Sequence, residues 1–198
     1  MGEDPHGIRI LYPPGLRHQT FDLFSTLIEA SGASAIKAQT SDHSLATILH
    51  WACHEVRTEK IVFRDGVATS LPSHDVKFIN IQPEQKPRIF THHHEPVGEH
   101  GLVIGDQIVA TGGIAWHYNR PYADIFMEVD TRFQRQGYGG YLVQELKRLC
   151  HENDGIPCAR CDITNIASFR TIQKAGMIAC AHLLTGSISR ARVYFKYS

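Results

Sequence analysis

Gln134-Arg135-Gln136-Gly137-Tyr138-Gly139-Gly140 stands between a run with strand periodicity and a run with helix periodicity, and its reading decides the rest of the chain. Glycines at 137, 139 and 140 let the backbone approach a ligand closely, with N–H groups pointing outward. A helix over Gly137–His151 follows from the three- and four-residue spacing of Leu142, Val143, Leu146 and Leu149. It adds its positive N-terminal end, so a phosphate-bearing anion is the natural guest. The plain alternative is a glycine turn that needs only unusual dihedrals. The stretch is neither a dinucleotide fingerprint nor a P-loop, because the third glycine is wrongly spaced and no Lys-Ser/Thr follows.

Upstream, Gly101–Gly105 and Gln107–Ile114 are β-branched apolar runs joined through Gly105-Asp106, a hairpin signal. Ala123–Val129 reads as a third strand, with Ile125, Met127 and Val129 on one face and Asp124, Phe126 and Glu128 on the other. Downstream, Pro157–Ile163 reads as a strand and Asn165–Ala175 as a helix closed by Gly176. Met177–Leu184 and Arg192–Tyr197 read as two final strands separated by Gly186-Ser187. The order β-β-β-α-β-α-β-β implies an α/β (α+β) mixed sheet with helices packed on it.

The glycine stretch lies a few residues after Val129-Asp130. About thirty residues further comes Asn165-Ile166-Ala167-Ser168, leading to Lys174-Ala175-Gly176-Met177. Together these resemble the GNAT superfamily of N-acetyltransferases, whose pattern is Arg/Gln-x-x-Gly-x-Gly/Ala before a helix, then Asn-x-x-Ala/Ser leading to Lys-x-Gly-Phe. Gln134, Gly137 and Gly139 fill the first part; Asn165, Ser168, Lys174 and Gly176 fill the second. The resemblance covers roughly residues 76–198. It implies a splayed mixed sheet with acetyl-CoA in the gap. The pyrophosphate would sit on the amides of Arg135, Gln136, Gly137, Tyr138, Gly139 and Gly140. The pantetheine arm would pair with backbone near Val129, and Asn165, with Ser168, would hold it from the other side. An N-cap role for Asn165 stands beside that one.

Acetyl transfer to an amine needs the amine neutral, an oxyanion stabilised and the thiolate protonated. Glu128, on the polar face beside the expected thioester, is the first choice of base, with a solvated strand-face carboxylate as the alternative. His117 could act through water, and an N–H near Val129 would serve the oxyanion. Many members of the family carry a Tyr seven residues after the Asn, but here that position is Ile172. Tyr118, Tyr122, Ser168 or solvent would then protonate the thiolate. Direct transfer from acetyl-CoA to a primary amine of a small molecule or peptide is expected; the rival is a catalytically silent acyl-CoA-binding module.

His92-His93-His94-Glu95, followed by Glu99 and His100, has the residue types of a metal site. It lacks paired helical spacing, so no metal is expected and the tract reads as a loop on the acceptor side. A metal-dependent enzyme built on it is the third reading. Cys158 and Cys161 have a redox spacing but would project to opposite faces of a strand.

Twenty Lys+Arg balance twenty Asp+Glu, which argues against nucleic acid or another polyanion as partner. No apolar run approaches the ~18 residues of a membrane span. Five cysteines without a framework, and an N-terminus unlike a signal peptide, point to the cytoplasm. A homodimer stays open. Residues 1–75 form a separate N-terminal αβ segment. Its elements read as a helix from Gln19 to Ala30, a strand over Ser34–Gln39, a helix over Asp42–His54 and a strand over Lys60–Arg64. The order parallels that of the main domain, which suggests a degenerate half GNAT unit without the cradle.

Overall fold

The computed structural model describes residues 19–73, 75–116 and 120–193. Its elements are α1 (Thr20–Ser31), β1 (Ala35–Thr40), α2 (His43–Ala52), β2 (Cys53–Asp65), β3 (Lys77–Asn80), β4 (His100–Ile104), β5 (Gln107–Ala115), β6 (Tyr122–Val129), α3 (Tyr138–Glu152), β7 (Ile156–Asp162), α4 (Ile166–Lys174), β8 (Met177–Ile188) and α5 (Arg190–Val193). The strands are hydrogen-bonded in the order β1-β8-β2-β7-β6-β5-β4-β3. This is the mixed α/β sheet with helices that the sequence implies. Among the described residues, no helix is long and apolar enough to cross a membrane.

The chain divides into two compact units, one of residues 1–58 with 183–198 and one of residues 59–182. In the first, Phe24 and Ile28 of α1, Leu49 and Ala52 of α2, and Leu184 and Val193 close a small core. Gly32, at φ +63, ends α1 in the left-handed conformation that glycine tolerates. Asp42 caps α2 by accepting from the amides of Ser44 and Leu45. In the second unit, Leu142, Val143 and Leu146 of α3 and Ile172 of α4 pack on Val109, Ala110, Ile125, Ala159 and Phe63 from the strands. One face of that sheet is therefore the helix-covered core.

One expectation near the chain's end is corrected, and another falls mostly outside the described residues. Gly186-Ser187 does not separate two strands, since β8 runs through it to Ile188. A Cβ on Gly186 would stand 3.0 Å from Cys53 Cβ, so the glycine serves close packing rather than a reversal. Of the last strand expected over Arg192–Tyr197, Arg192 and Val193 belong instead to a helical turn, Arg190–Val193, and residues 194–198 lie outside the described residues. β2 is also far longer than the expected Lys60–Arg64. Its front half, His54-Glu55-Val56-Arg57-Thr58-Glu59, is too polar to read as a strand; strand neighbours, not propensity, extend it.

What positions the site is a split in the sheet. β6 pairs in parallel with β7 only from Tyr122↔Ile156 to Ile125↔Ala159. Beyond that rung each strand stays with its outer neighbour, β6 with β5 as far as Ala110↔Val129, and β7 with β2 as far as Lys60↔Asp162. Residues 126–129 and 160–162 thus face each other across an opening about 13 Å deep along the strand.

Candidate functional site

The backbone of β6 presents its polar groups to that opening. Asp130 donates its N–H to Val109 O at 3.0 Å, one rung past the ladder with β5. By strand alternation Glu128 and Phe126 turn their amides to β5, and Met127 and Val129 turn theirs to the gap. Gln134 Nε2 donates to Val129 O at 3.3 Å and ties the following loop to this wall. The side chains of Met127 and Val129 join the helix-packed core, whereas Phe126 and Glu128 occupy the other face.

After Val129 the chain makes a tight corner. The buried Asp130 carboxylate accepts from Arg132 N at 3.0 Å and from the Arg132 guanidinium at 2.6 Å. That pairing holds it below the usual carboxylate range. Arg135 (φ +62) and Gly137 (φ +92) then take left-handed backbone conformations on either side of Gln136. Gly137 is the N-cap of α3 and offers no side-chain acceptor. The first helical bond runs from Tyr141 N to Gly137 O at 3.1 Å, so the earlier amides of the turn lie outside the helical ladder. Left-handed residues in a loop that opens a fifteen-residue helix form a backbone concavity whose geometry suits an anion. Gly139 is needed for another reason, because an added Cβ would lie 3.1 Å from Thr171 Cγ2 and 3.4 Å from Met127 Cε. At Gly140 the nearest neighbour is Leu71, at 3.3 Å.

On the β7 wall, Asn165 caps α4 by accepting from Ser168 N at 3.0 Å. Both are therefore committed to the start of that helix, three residues past β7. Ile172 is only 4% exposed within the core, so this position supplies no proton. Tyr122 begins β6, seven residues or about 23 Å of strand from Val129, and is too distant to serve as an acid there. His117 and Tyr118 lie outside the described residues.

Glu128 stands on the polar face, as its alternation requires, but it is not a solvated carboxylate. Oε1 accepts from His93 N at 2.8 Å, while Oε2 accepts from His94 N at 3.0 Å and Glu95 N at 2.9 Å. Burial alone would raise its pKa; the three amides, with His92 nearby, bring it below the usual 4.5. The ring of His92 stacks on Phe90, places Nε2 3.0 Å from Thr111 Oγ1 and turns Nδ1 toward Glu95 O at 2.9 Å. The histidine tract is thus a loop clamped on β5 and β6. Among the described residues, no group of three His, Cys, Asp or Glu side chains is placed to hold a metal ion.

Sequence reasoning identified the tract as a loop but missed the clamp, which joins residues 33 to 35 positions apart. Replacing Glu128 by Gln sets an amide NH2 against backbone donors. This is expected to cost about 1.5–3 kcal/mol and to speed amide exchange at residues 93–95. The folded pKa lies below the unfolded one. The clamp therefore contributes fully above about pH 4.5 and is lost as pH falls through the lower folded value, measurable as acid-induced exchange in the same amides.

Residues 67–177 match the family described as Acetyltransferase (GNAT) family. An acetyltransferase from the GNAT family of Colwellia psychrerythraea has a similar structure, with a TM-score of 0.67 at 12% identity over 91% of this chain and 76% of that one. A GCN5-related N-acetyltransferase from Kribbella flavida matches with a TM-score of 0.55 at 13% identity, covering 90% and 77% of the two chains. A putative GNAT-family acetyltransferase from Novosphingobium aromaticivorans gives 0.53 at 14%, covering 84% and 81%. These likenesses bear on the fold. No curated protein sequence matches the chain.

Proposed function

The chain belongs to the acetyltransferase (GNAT) family, and on that footing we propose that it moves an acetyl group from acetyl-CoA directly to a primary amine of a small molecule or peptide. The observation that carries this reading is the alignment of two features at the end of one strand. The Met127 and Val129 backbone faces an unpaired gap, and the anion-binding turn at residues 135–140 begins six residues later. A molecule with a diphosphate at one end and an extended amide-bearing arm fits both. The diphosphate meets the turn's amides, and the arm completes the β ladder that the split leaves open. Asn165 and Ser168 border the arm from the β7 side, and the Val129 N–H faces the place where a carbonyl oxygen would gain charge.

No placed cysteine nucleophile argues for a covalent relay. Burial raises the pKa of Cys158 to about 11, far from a reactive thiolate. Direct attack by the amine is therefore the simpler course.

Ile172, buried where a donor is common, favours one rival, a module that binds acyl-CoA without turnover. Thiol release from acetyl-CoA, followed across a panel of alkylamines, amino acid amides and short peptides, separates the two. Acceptor-dependent release is expected. Tight coenzyme A binding with no release across the panel supports the silent module.

A further inference from the structure

Resting on the acyl-transfer reading, we propose that Glu95 takes the proton from the incoming ammonium, and that Glu128 is a positioning residue that holds the Glu95 loop over the gap. Both Glu128 oxygens are already occupied by the amides of His93, His94 and Glu95, all within 3.0 Å. Accepting a proton would break the clamp. Glu95 is on the loop that this clamp fixes, and its own N–H is one of the three donors.

The half-buried Glu95 carboxylate is within electrostatic reach of Glu128 on one wall of the gap and of Arg160 and Lys60 on the other side. Arg160 directly follows Ala159, the last residue of β7 paired with β6. Because Asp124 and Cys158 share a rung, alternation sets Glu128, Arg160 and Asp162 on the same face, opposite the helices. Lys60 stands opposite Asp162 on that face. Arg160 is spent on Asp124, its guanidinium bonded to the carboxylate. Among the described residues no ion pair within 4.0 Å engages the Glu95 carboxylate. It is a half-buried acid tied beside Glu128 by its own amide and without an ion-pair partner, and an ammonium supplies one.

The two carboxylates are pushed apart in strength. Burial, with the nearby Glu128, raises the pKa of Glu95 against the opposing charges of Lys60, Arg160 and His94, whereas the loop amides lower that of Glu128. Glu95 is the stronger base of the two. In the step proposed, an N–H bond of the ammonium breaks and the proton passes to Glu95. The freed lone pair attacks the thioester carbonyl, a C–N bond forms and the C–S bond breaks. The departing thiolate takes one of the two protons left on nitrogen, giving a secondary amide that keeps the other and a free thiol, and Glu95 returns its proton to water.

The test is the pH profile of kcat/KM with whichever amine of the panel is turned over fastest. For Glu95→Gln, activity near neutrality is expected to fall about 100-fold with the acid limb lost and acetyl-CoA affinity unchanged. Glu95→Asp should recover part of the rate, and Glu128→Gln should lower the rate but keep the limb. Carboxyl 13C titration of the wild type should place Glu95 above Glu128. A Glu95→Gln enzyme within threefold of wild type, a limb that vanishes with Glu128→Gln instead, or the reverse titration order overturns the proposal. A wild type that binds acetyl-CoA but acetylates no amine of the panel also overturns it. A wild type that binds no coenzyme A at all defeats the acyl-transfer reading itself.

Discussion

Replacing Gly137 by valine is expected to weaken coenzyme A binding by about 100-fold or more, with the fold retained. Gly137 holds φ +92 at the N-cap of α3, where a β-branched residue is strained by about 1–2 kcal/mol and turns out of the cradle. Two charge-assisted hydrogen bonds to the diphosphate would go with it, each about 1.5–3 kcal/mol. Their loss corresponds to roughly 10²–10⁴ in the dissociation constant. Apart from that strain the substitution leaves the core untouched, so the melting temperature should fall by only about 2–8 °C. Calorimetric titration with coenzyme A reads the effect, and a dissociation constant within threefold of wild type contradicts it. Gly139→Ala is a poorer probe, since its methyl would press on Thr171 and disturb packing as well as binding.

Lys147→Ala is expected to destabilise the protein by about 3–5 kcal/mol, or roughly 10 °C in Tm for a chain of this size. Its ammonium is 6% exposed on α3 and meets Asp65 Oδ1 at 2.7 Å, Val67 O at 2.9 Å and Ala175 O at 2.8 Å. Burial works to raise the Asp65 pKa, but Lys147 and His151 bring it below the usual carboxylate range. Truncation leaves that carboxylate and two carbonyls without their cation. The lysine also anchors a strap. Val67 N donates to Gly176 O, and Gln144 Oε1 accepts from Thr69 Oγ1 and Leu71 N, which brings Leu71 against Gly140 beside the cradle. Urea unfolding that shows a loss below 1 kcal/mol would contradict this account.

Much of this arrangement is legible in the sequence because it is written in short-range periods and caps. The β4–β5 hairpin through Gly105, the α3 stripe, and the Asp42 and Asn165 caps each follow from neighbours within a turn or two. The split between β6 and β7 has no local signature. Only the family resemblance implies it, and the structure shows it as a ladder that stops at Ile125. The front of β2 and the tail of β8 escaped because polar residues and Gly186 read locally as loop and turn, whereas strand neighbours decide them. Lys147 did leave a trace: it stands four residues after Val143 and three before Cys150, inside the apolar stripe. The Glu128 clamp left none, since nothing within reach of residues 92–95 in sequence names a carboxylate on β6.

In the proposed complex coenzyme A spans the α3 turn and the open edge of β6. An amide 1H–15N titration of the full chain with coenzyme A tests it most directly. The amides of Gln136, Gly137, Gly139 and Gly140 are expected to shift together with those of Met127 and Val129, along one binding curve. Shifts confined to other residues, or none at millimolar coenzyme A, would contradict it.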